Sequence, residues 1–402
     1  MSQGAFHGVA RQVSNRTPLL EIKHLSVDYH AGNGTVHGLT DVSVTLERGQ
    51  ILGLAGESGS GKSTLGYAVT RLLKPPAEII GGEVLYYPRA NERHPNSGSP
   101  IAGPPATLGY GGQEGRAVDL LKLSTGQLRA IRWKELAIVF QSAMNALNPV
   151  ITVGAQIMDV LRAHRPEMTR AQRIARATEL LRLVSIAPDR LRSYPHELSG
   201  GMRQRAIIAI ALALGPEVII MDEPTTALDV VVQREILMEI VALRTDLEFS
   251  VIFITHDLSL LLELADKVAI MYAGRVVEMA TRDELKAQPR HPYSYGMLNS
   301  FPTIHGERRR MTGIPGAPPD LRNIPPGCAF HPRCPMVVAA CRSELPALRG
   351  AMGSADSQQV ACHLYDPRHG PSALPTVQTF AAGYESAYAR GQVAGQGERS
   401  AP

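Results

Sequence analysis

The eight residues Gly56-Glu57-Ser58-Gly59-Ser60-Gly61-Lys62-Ser63 constrain this chain more than any other stretch. They fit the pattern G-x-x-x-x-G-K-[ST], follow the apolar run Ile51–Ala55, and open a helical segment that extends to Leu73 before Pro75-Pro76. Strand, glycine-rich turn and helix in that order make a phosphate-binding loop. The glycines let successive backbone N–H groups close around an anion, and the helix N-terminus adds partial positive charge. Lys62 then reaches the β- and γ-phosphates, and the Ser63 hydroxyl can ligate Mg2+. A dinucleotide fingerprint does not fit, because the position that needs the third glycine holds Thr64.

The companion signal is Val218-Ile219-Ile220-Met221-Asp222-Glu223, an apolar strand ending in two carboxylates. Asp222 stands where a carboxylate holds Mg2+ through water, and Glu223 could polarise an attacking water. The two motifs together imply a nucleoside triphosphatase on an α/β sheet. At 402 residues, two to three domains are expected. A net charge of +4 is too mild to make nucleic acid the main partner. The longest tempting apolar stretch, Ala206–Leu214, is far short of the about 20 residues a spanning helix needs, and Met1-Ser2-Gln3-Gly4 does not open a secretory signal. A cytosolic setting is expected.

Residues 1–18 read as a leader. Period-two alternation in Leu20–Ile22, Leu25–Tyr29 and Val42–Leu46 predicts antiparallel strands. The stretch 88–115 holds 6 Gly and 5 Pro among 28 residues, and reads as a flexible surface insertion. Helical patterning runs from Val153 to Leu214, with Thr169 and Gln172 as a capping box and Arg162, Arg165, Arg170, Arg173, Arg176 and Arg182 on a solvated face. Val218–Met221 and Val251–Thr255 read as buried parallel strands whose C-terminal ends carry a site. A second domain is expected to begin near Gln288, and residues 366–402 read as a disordered tail.

Between the two motifs lies Leu198-Ser199-Gly200-Gly201-Met202-Arg203-Gln204-Arg205, which resembles the signature of ATP-binding-cassette (ABC) ATPases. Gln141 after Ala137–Phe140 resembles that family's Q-loop, Ala227-Leu228-Asp229 its D-loop, and His256 its switch histidine. Tyr29 occupies the place of the aromatic that stacks on adenine. The resemblance implies an α/β P-loop cassette over residues 19–287, with a RecA-like core, an antiparallel β subdomain and a helical subdomain at 141–215. It implies further that two cassettes face head to tail. ATP would then bind the P-loop, Tyr29, Thr64 and Gln141 of one cassette, and the signature residues Leu198, Ser199, Gly200, Gly201 and Gln204 of the other. Mg2+ would be held at Ser63, Gln141 and Asp222. Glu223 would be the catalytic carboxylate, and His256 would bridge the γ-phosphate to Asp229 across the dimer.

Ser142-Ala143-Met144-Asn145-Ala146-Leu147-Asn148-Pro149 and the later run Pro325-Pro326-Gly327-Cys328-Ala329-Phe330-His331-Pro332-Arg333-Cys334 narrow the resemblance. Both are similar to the ATPase subunits of dipeptide and oligopeptide permeases, a group that includes some nickel importers. This implies ATP-driven uptake through two separate transmembrane permease subunits, with an extracytoplasmic substrate-binding protein and a second ATPase subunit, a heterodimer being commoner than a homodimer. It also implies a peripheral position on the cytoplasmic face of the membrane. Nickel, haem or another small solute are alternative cargoes, and a soluble ABC ATPase acting on DNA is the rival from another class.

All four cysteines, Cys328, Cys334, Cys341 and Cys362, lie in one C-terminal stretch, and the region 288–365 reads as a four-cysteine metal domain. Their spacing lacks the C-x2–4-C pairs of zinc ribbons and the common ferredoxin patterns. Four thiolates suit a [4Fe–4S] cluster or Zn2+, and spacing alone does not choose. The resemblance favours the cluster.

Overall fold

The computed structural model describes residues 17–32, 34–89, 117–141, 146–226, 228–300, 313–352 and 357–397. Most of the leader, nearly all of the expected 88–115 insertion, Ser142–Asn145 and Ala227 of the D-loop lie outside the described residues. The chain starts with two long antiparallel strands, β1 (Pro18–Ala31) and β2 (Gly34–Glu47), and then enters β3 (Ile51–Ala55) and α1 (Lys62–Val69). β4 (Ala77–Tyr86), β5 (Val118–Asp119), α2 (Thr125–Ile131) and β6 (Leu136–Val139) follow. A helical layer of α3 (Val153–His164), α4 (Arg170–Leu183) and α5 (Gly200–Ala211) precedes β7 (Val218–Asp222), α6 (Val230–Leu247) and β8 (Ser250–Ile254). Then come α7 (Leu258–Leu264), β9 (Lys267–Tyr272), β10 (Arg275–Thr281), α8 (Arg282–Ala287) and α9 (Pro292–Leu298). Short 3-10 turns, β11 (Arg349–Gly350), β12 (Gln359–Val360) and α10 (Val377–Gly397) complete it.

The larger sheet has the order β11-β12-β10-β9-β3-β8-β7-β6. Strands β9, β3, β8, β7 and β6 are parallel, and β3, β7 and β8 are buried at every position, one face sharing a core with α1 and the smaller sheet and the other packing on helices. The smaller sheet, β2-β1-β4-β5, is antiparallel. The expected strands at 20–22 and 25–29 are one strand here. Its register shifts between Ile22 and Leu25, where His24 has φ 52°, so a bulge joins two alternating runs. Thr169 and Gln172 do form a reciprocal capping box on α4. Arg162 and Arg176 pair with Asp159 and Glu179 one turn away, a solvated face. Among the described residues no helix is long and apolar enough to cross a membrane.

Two expectations about the C-terminal part need correction. The boundary near Gln288 is not a break in packing, because β12 hydrogen-bonds to β10 and so extends the cassette's own sheet. Tyr272, Tyr293 and Phe330 form one aromatic cluster, with ring centroids 4.7–5.3 Å apart, and weld β9, α9 and the cysteine-bearing turns together. The tail is not disordered through 366–402 either. Helix α10 buries Phe380 and Tyr384, one turn apart, against Tyr295, and the Tyr384 hydroxyl donates to Pro292 O at 2.9 Å. Two large aromatics at i and i+4 supply enough apolar surface to hold a helix that is otherwise rich in Ala and Gly.

The tightest seam is a carboxylate. Glu278 on β10 is fully buried and accepts hydrogen bonds from Arg290 N (2.7 Å), His291 N (2.8 Å) and Gln358 Nε2 (3.0 Å). It therefore ties the cassette strand to the start of α9 and to the segment before β12. His291, kept neutral by burial that pushes its pKa down to about 3, accepts from Tyr293 N at 3.0 Å and caps α9. Glu278→Ala strands two buried N–H groups and should cost about 2–4 kcal/mol, whereas Glu278→Gln keeps an acceptor and should cost less. Urea unfolding of the two variants measures this, and equal midpoints for Glu278→Ala and the parent chain would refute it.

Candidate functional site

The phosphate-binding loop leaves the C-terminal end of β3 and turns into α1. Two of its glycines have no substitute. At Gly56 (φ 152°) a Cβ would lie 2.3 Å from Met271 O, and at Gly61 (φ 99°) it would lie 2.6 Å from Gly38 O. Gly59 needs its glycine only for its φ of 78°. Lys62 is 5% exposed, and its ammonium donates to Gly56 O (2.7 Å), Glu57 O (2.9 Å) and Ser60 Oγ (3.3 Å). Burial lowers its pKa, and the nearby Glu223, Asp222 and Glu57 oppose that shift. Ser63 Oγ donates to Asp222 Oδ1 at 3.0 Å. Asp222 Oδ2 is buried without a hydrogen-bond partner, which suits a carboxylate meant to meet Mg2+ or its water. Tyr29, on β1, hydrogen-bonds Thr64 Oγ1 at 2.9 Å and so stands at the first turn of α1.

Three elements converge on Glu223. Its Oε1 lies 3.1 Å from His256 Nδ1, and its Oε2 accepts from Gln141 Nε2 and Thr226 Oγ1, each at 3.1 Å. The parallel register causes this convergence: Asp222 is level with Ile254, and Glu223 N donates to Ile254 O at 2.9 Å. Glu223 follows β7, His256 follows β8 and Gln141 follows β6, so all three stand beyond the carboxyl ends of the strands. Glu223 has φ 44°, an uncommon backbone conformation for a side chain of this size.

The signature residues form a separate group. Ser199 caps α5, with its hydroxyl accepting from Met202 N at 3.3 Å, and Gly200 and Gly201 open that helix. A Cβ on Gly201 would lie 2.7 Å from Val232, in the first turn of α6, whose cap is Asp229. The signature and the D-loop therefore pack side by side. Leu198 and Gln204 are buried beneath them, and Gln204 Nε2 has no hydrogen-bond partner. A cavity of about 550 Å³ is lined by Glu57, Ser58, Gln141, Glu223 and His256, and among the described residues no signature residue lines it.

The other wall of that cavity was not foreseen from the sequence. It comes from Met297, Ser300, Ile314, Gly316 and Arg333 of the C-terminal part. Glu57, expected to serve the nucleotide, turns its carboxylate to the Arg333 guanidinium at 2.6 and 2.9 Å, while Glu57 N donates to Tyr293 Oη at 2.8 Å. Arg333 stands within a run that marks the permease resemblance, but a pairing across 276 residues leaves no local pattern.

The four cysteines are free thiols, gathered by short turns. Cys328 N donates to Cys341 O at 2.9 Å, and Gly327 allows the approach: a Cβ there would lie 2.5 Å from that oxygen. Burial pushes Cys328 up to about 11, Cys334 up to about 12, and Cys362 well above the usual thiol range. Backbone N–H groups two residues on, from Phe330, Met336 and Leu364, point at the sulfurs of Cys328, Cys334 and Cys362. His331 Nδ1 lies 3.0 Å from Cys328 O and so helps to hold the turn between Cys328 and Cys334. Nearby, His363, Asp366 and His369 bring ligand atoms within 4.8 Å of one another. There Arg368 occupies both carboxylate oxygens of Asp366 through its backbone N–H and its guanidinium, and Arg349 adds a contact at 3.6 Å, so this trio reads as an ion-paired turn.

Comparisons with known proteins agree with this arrangement. The ABC transporter family model matches residues 39–226, and the model for the oligopeptide/dipeptide transporter C-terminal region matches residues 277–341. The chain is 41% identical over 334 residues to a probable peptide ABC transporter ATP-binding protein of Sinorhizobium fredii, covering 82% of this chain and 91% of that one. It is 37% identical to the dipeptide transport ATP-binding protein DppD of Caldanaerobacter subterraneus (87% and 97% covered) and 42% identical to the oligopeptide transport ATP-binding protein OppD of Bacillus subtilis (78% and 80%). Among solved structures, the dimeric cassette MJ0796 with ADP and Pi shares the fold at 24% identity, with a TM-score of 0.52 over 66% of this chain and 99% of that one. CbiO1 of Clostridium perfringens does so at 25% identity and a TM-score of 0.51, over 67% and 91%. Two family-model matches, a cassette fold and relatives that span most of the chain lead to one conclusion: this protein belongs to the ABC transporter ATP-binding proteins of the peptide, dipeptide and oligopeptide group.

Proposed function

We propose that this chain is the ATP-hydrolysing subunit of an importer that takes up di- or oligopeptides through separate permease subunits. One observation carries the reading: residues of the ABC transporter region and of a C-terminal region of the oligopeptide/dipeptide transporter type occur in one chain and line one cavity. Lys62 and the loop amides would hold the β- and γ-phosphates. Ser63 and Asp222 would hold Mg2+, supported by the unpartnered Asp222 oxygen. Glu223, at hydrogen-bond distance from both Gln141 and His256, is suited to orient water against the γ-phosphate. Gln141 also leads into the helical layer, so a nucleotide that drew it away from Glu223 would move the surface offered to a permease. The signature lies outside the cavity, so completing the site calls for the Ser199 end of α5 from a second cassette. That partner would be another ATPase subunit, with two permease chains and an external binding protein completing a complex on the cytoplasmic face of the membrane. The relatives give no support to the DNA-acting alternative.

The four thiols fit a metal group. The N–H groups aimed at three sulfurs favour thiolates, and burial makes bare thiolates costly, so a cation or cluster would complete the set. Four thiolates suit either a [4Fe–4S] cluster or Zn2+, and the permease resemblance favours the cluster. Its role would be to cross-link turns that have little core of their own.

Glu223→Gln should lower ATP turnover by about 10²–10⁴-fold with ATP affinity nearly unchanged, and a steady-state assay showing parental turnover would remove Glu223 from catalysis. Cells lacking this chain should lose uptake of labelled oligopeptides. Retained peptide uptake with lost nickel or haem uptake would reassign the cargo. Anaerobically purified Cys334→Ser should lose iron, acid-labile sulfide and protease resistance of residues 313–365; parental values of all three would dismiss the metal site.

A further inference from the structure

The phosphate-binding loop of this protein is held from outside the cassette motifs. We propose that Arg333 is a positioning residue of the ATP site, acting through Glu57 to fix the first half of the loop in its phosphate-accepting conformation. The inference rests on the ATPase reading above and deepens it by making the C-terminal region part of the nucleotide site.

Arg333 is 7% exposed, and all five of its guanidinium N–H donors have acceptors. Nε donates to Pro315 O (2.8 Å). Nη1 donates to Glu57 Oε2 (2.6 Å) and Tyr272 Oη (3.3 Å), and Nη2 to Glu57 Oε1 (2.9 Å) and Gly316 O (3.3 Å). The rings of Tyr272 and Phe330, with centroids 5.8 and 5.9 Å from the guanidinium carbon, hold its plane. The head group therefore has one orientation, set by the loop at 315–316 and two aromatic side chains.

Glu57 is equally committed. Its carboxylate goes to Arg333, its N–H to Tyr293 and its carbonyl to Lys62. A carboxylate on a phosphate-binding loop would repel the anion if it were free to turn inward, and Arg333 both neutralises it and turns it away. The same contact fixes the Glu57 peptide, whose carbonyl is one of the three acceptors on the Lys62 ammonium. A bidentate guanidinium–carboxylate pair fixes distance and plane together, which a lysine cannot do.

The test uses the full chain. In hydrogen exchange without nucleotide, Arg333→Gln should speed exchange of the amides of residues 56–63 by about tenfold or more. The Kd for ATP and the KM should rise by about tenfold with a smaller change in kcat, Glu57→Gln should do the same, and the double variant should be no worse than either single. Arg333→Lys should recover only part of the affinity. Thermal unfolding reads any fold defect, and Glu57→Gln, which leaves volume unchanged, keeps the test available if Arg333→Gln is poorly folded. Loop exchange and ATP Kd within twofold of the parent in both single variants, or strictly additive effects in the double, would overturn the proposal. If the parent chain itself neither binds nor hydrolyses ATP, the ATPase reading fails, while the exchange experiment still reports on the clamp.

Discussion

A buried ammonium group must be surrounded by acceptors, and much of this site follows from where Lys62 finds them. Water is largely excluded, so two main-chain carbonyls and one hydroxyl of the loop accept its hydrogen bonds. To present those groups the loop must curl back over α1, and the curl brings Gly56 against Met271 and Gly61 against Gly38, leaving no room for a Cβ at either position. The glycines are thus a consequence of the lysine's burial as much as of the phosphate's size. The curl also leaves the Glu57 side chain on the outer side of the loop, where the C-terminal turns meet it.

The linear motifs made the core of the fold legible, because each encodes its own geometry. Gly56–Ser63 requires a strand before it and a helix after it, and Val218–Glu223 requires a buried strand. The roles expected of Gln141, Glu223 and His256 could be written down from their order in the chain. That they share one carboxylate depends on three parallel strands ending level, and register between distant strands is not written in any one of them. The head-to-tail use proposed for Ser199 rests on a signature that packs against the first turn of α6 rather than on the cavity.

The C-terminal third was less legible for a different reason. Glu278 sits inside Arg275–Thr281, where a charged residue in a strand reads as solvent-facing, yet it is among the most buried residues present. Its acceptors are spent on main-chain N–H groups from 290 and 291 and a glutamine at 358, partners no local pattern could name. In α10 the aromatic pair Phe380 and Tyr384 was diluted by small residues, so an anchored helix looked like a loose end. Tertiary contact settles both cases, and propensity is silent on them.

The two-residue strand β12 has a consequence out of proportion to its length. The long edge of β10 would otherwise present open N–H and C=O groups to solvent, and β12, backed by β11, occupies part of it. The opposite edge is β6, only four residues long and buried throughout. With one side covered and the other too short to template a neighbour, the sheet has little free rim on which another chain could add itself. Contacts along this sheet are therefore left to side chains and helix ends.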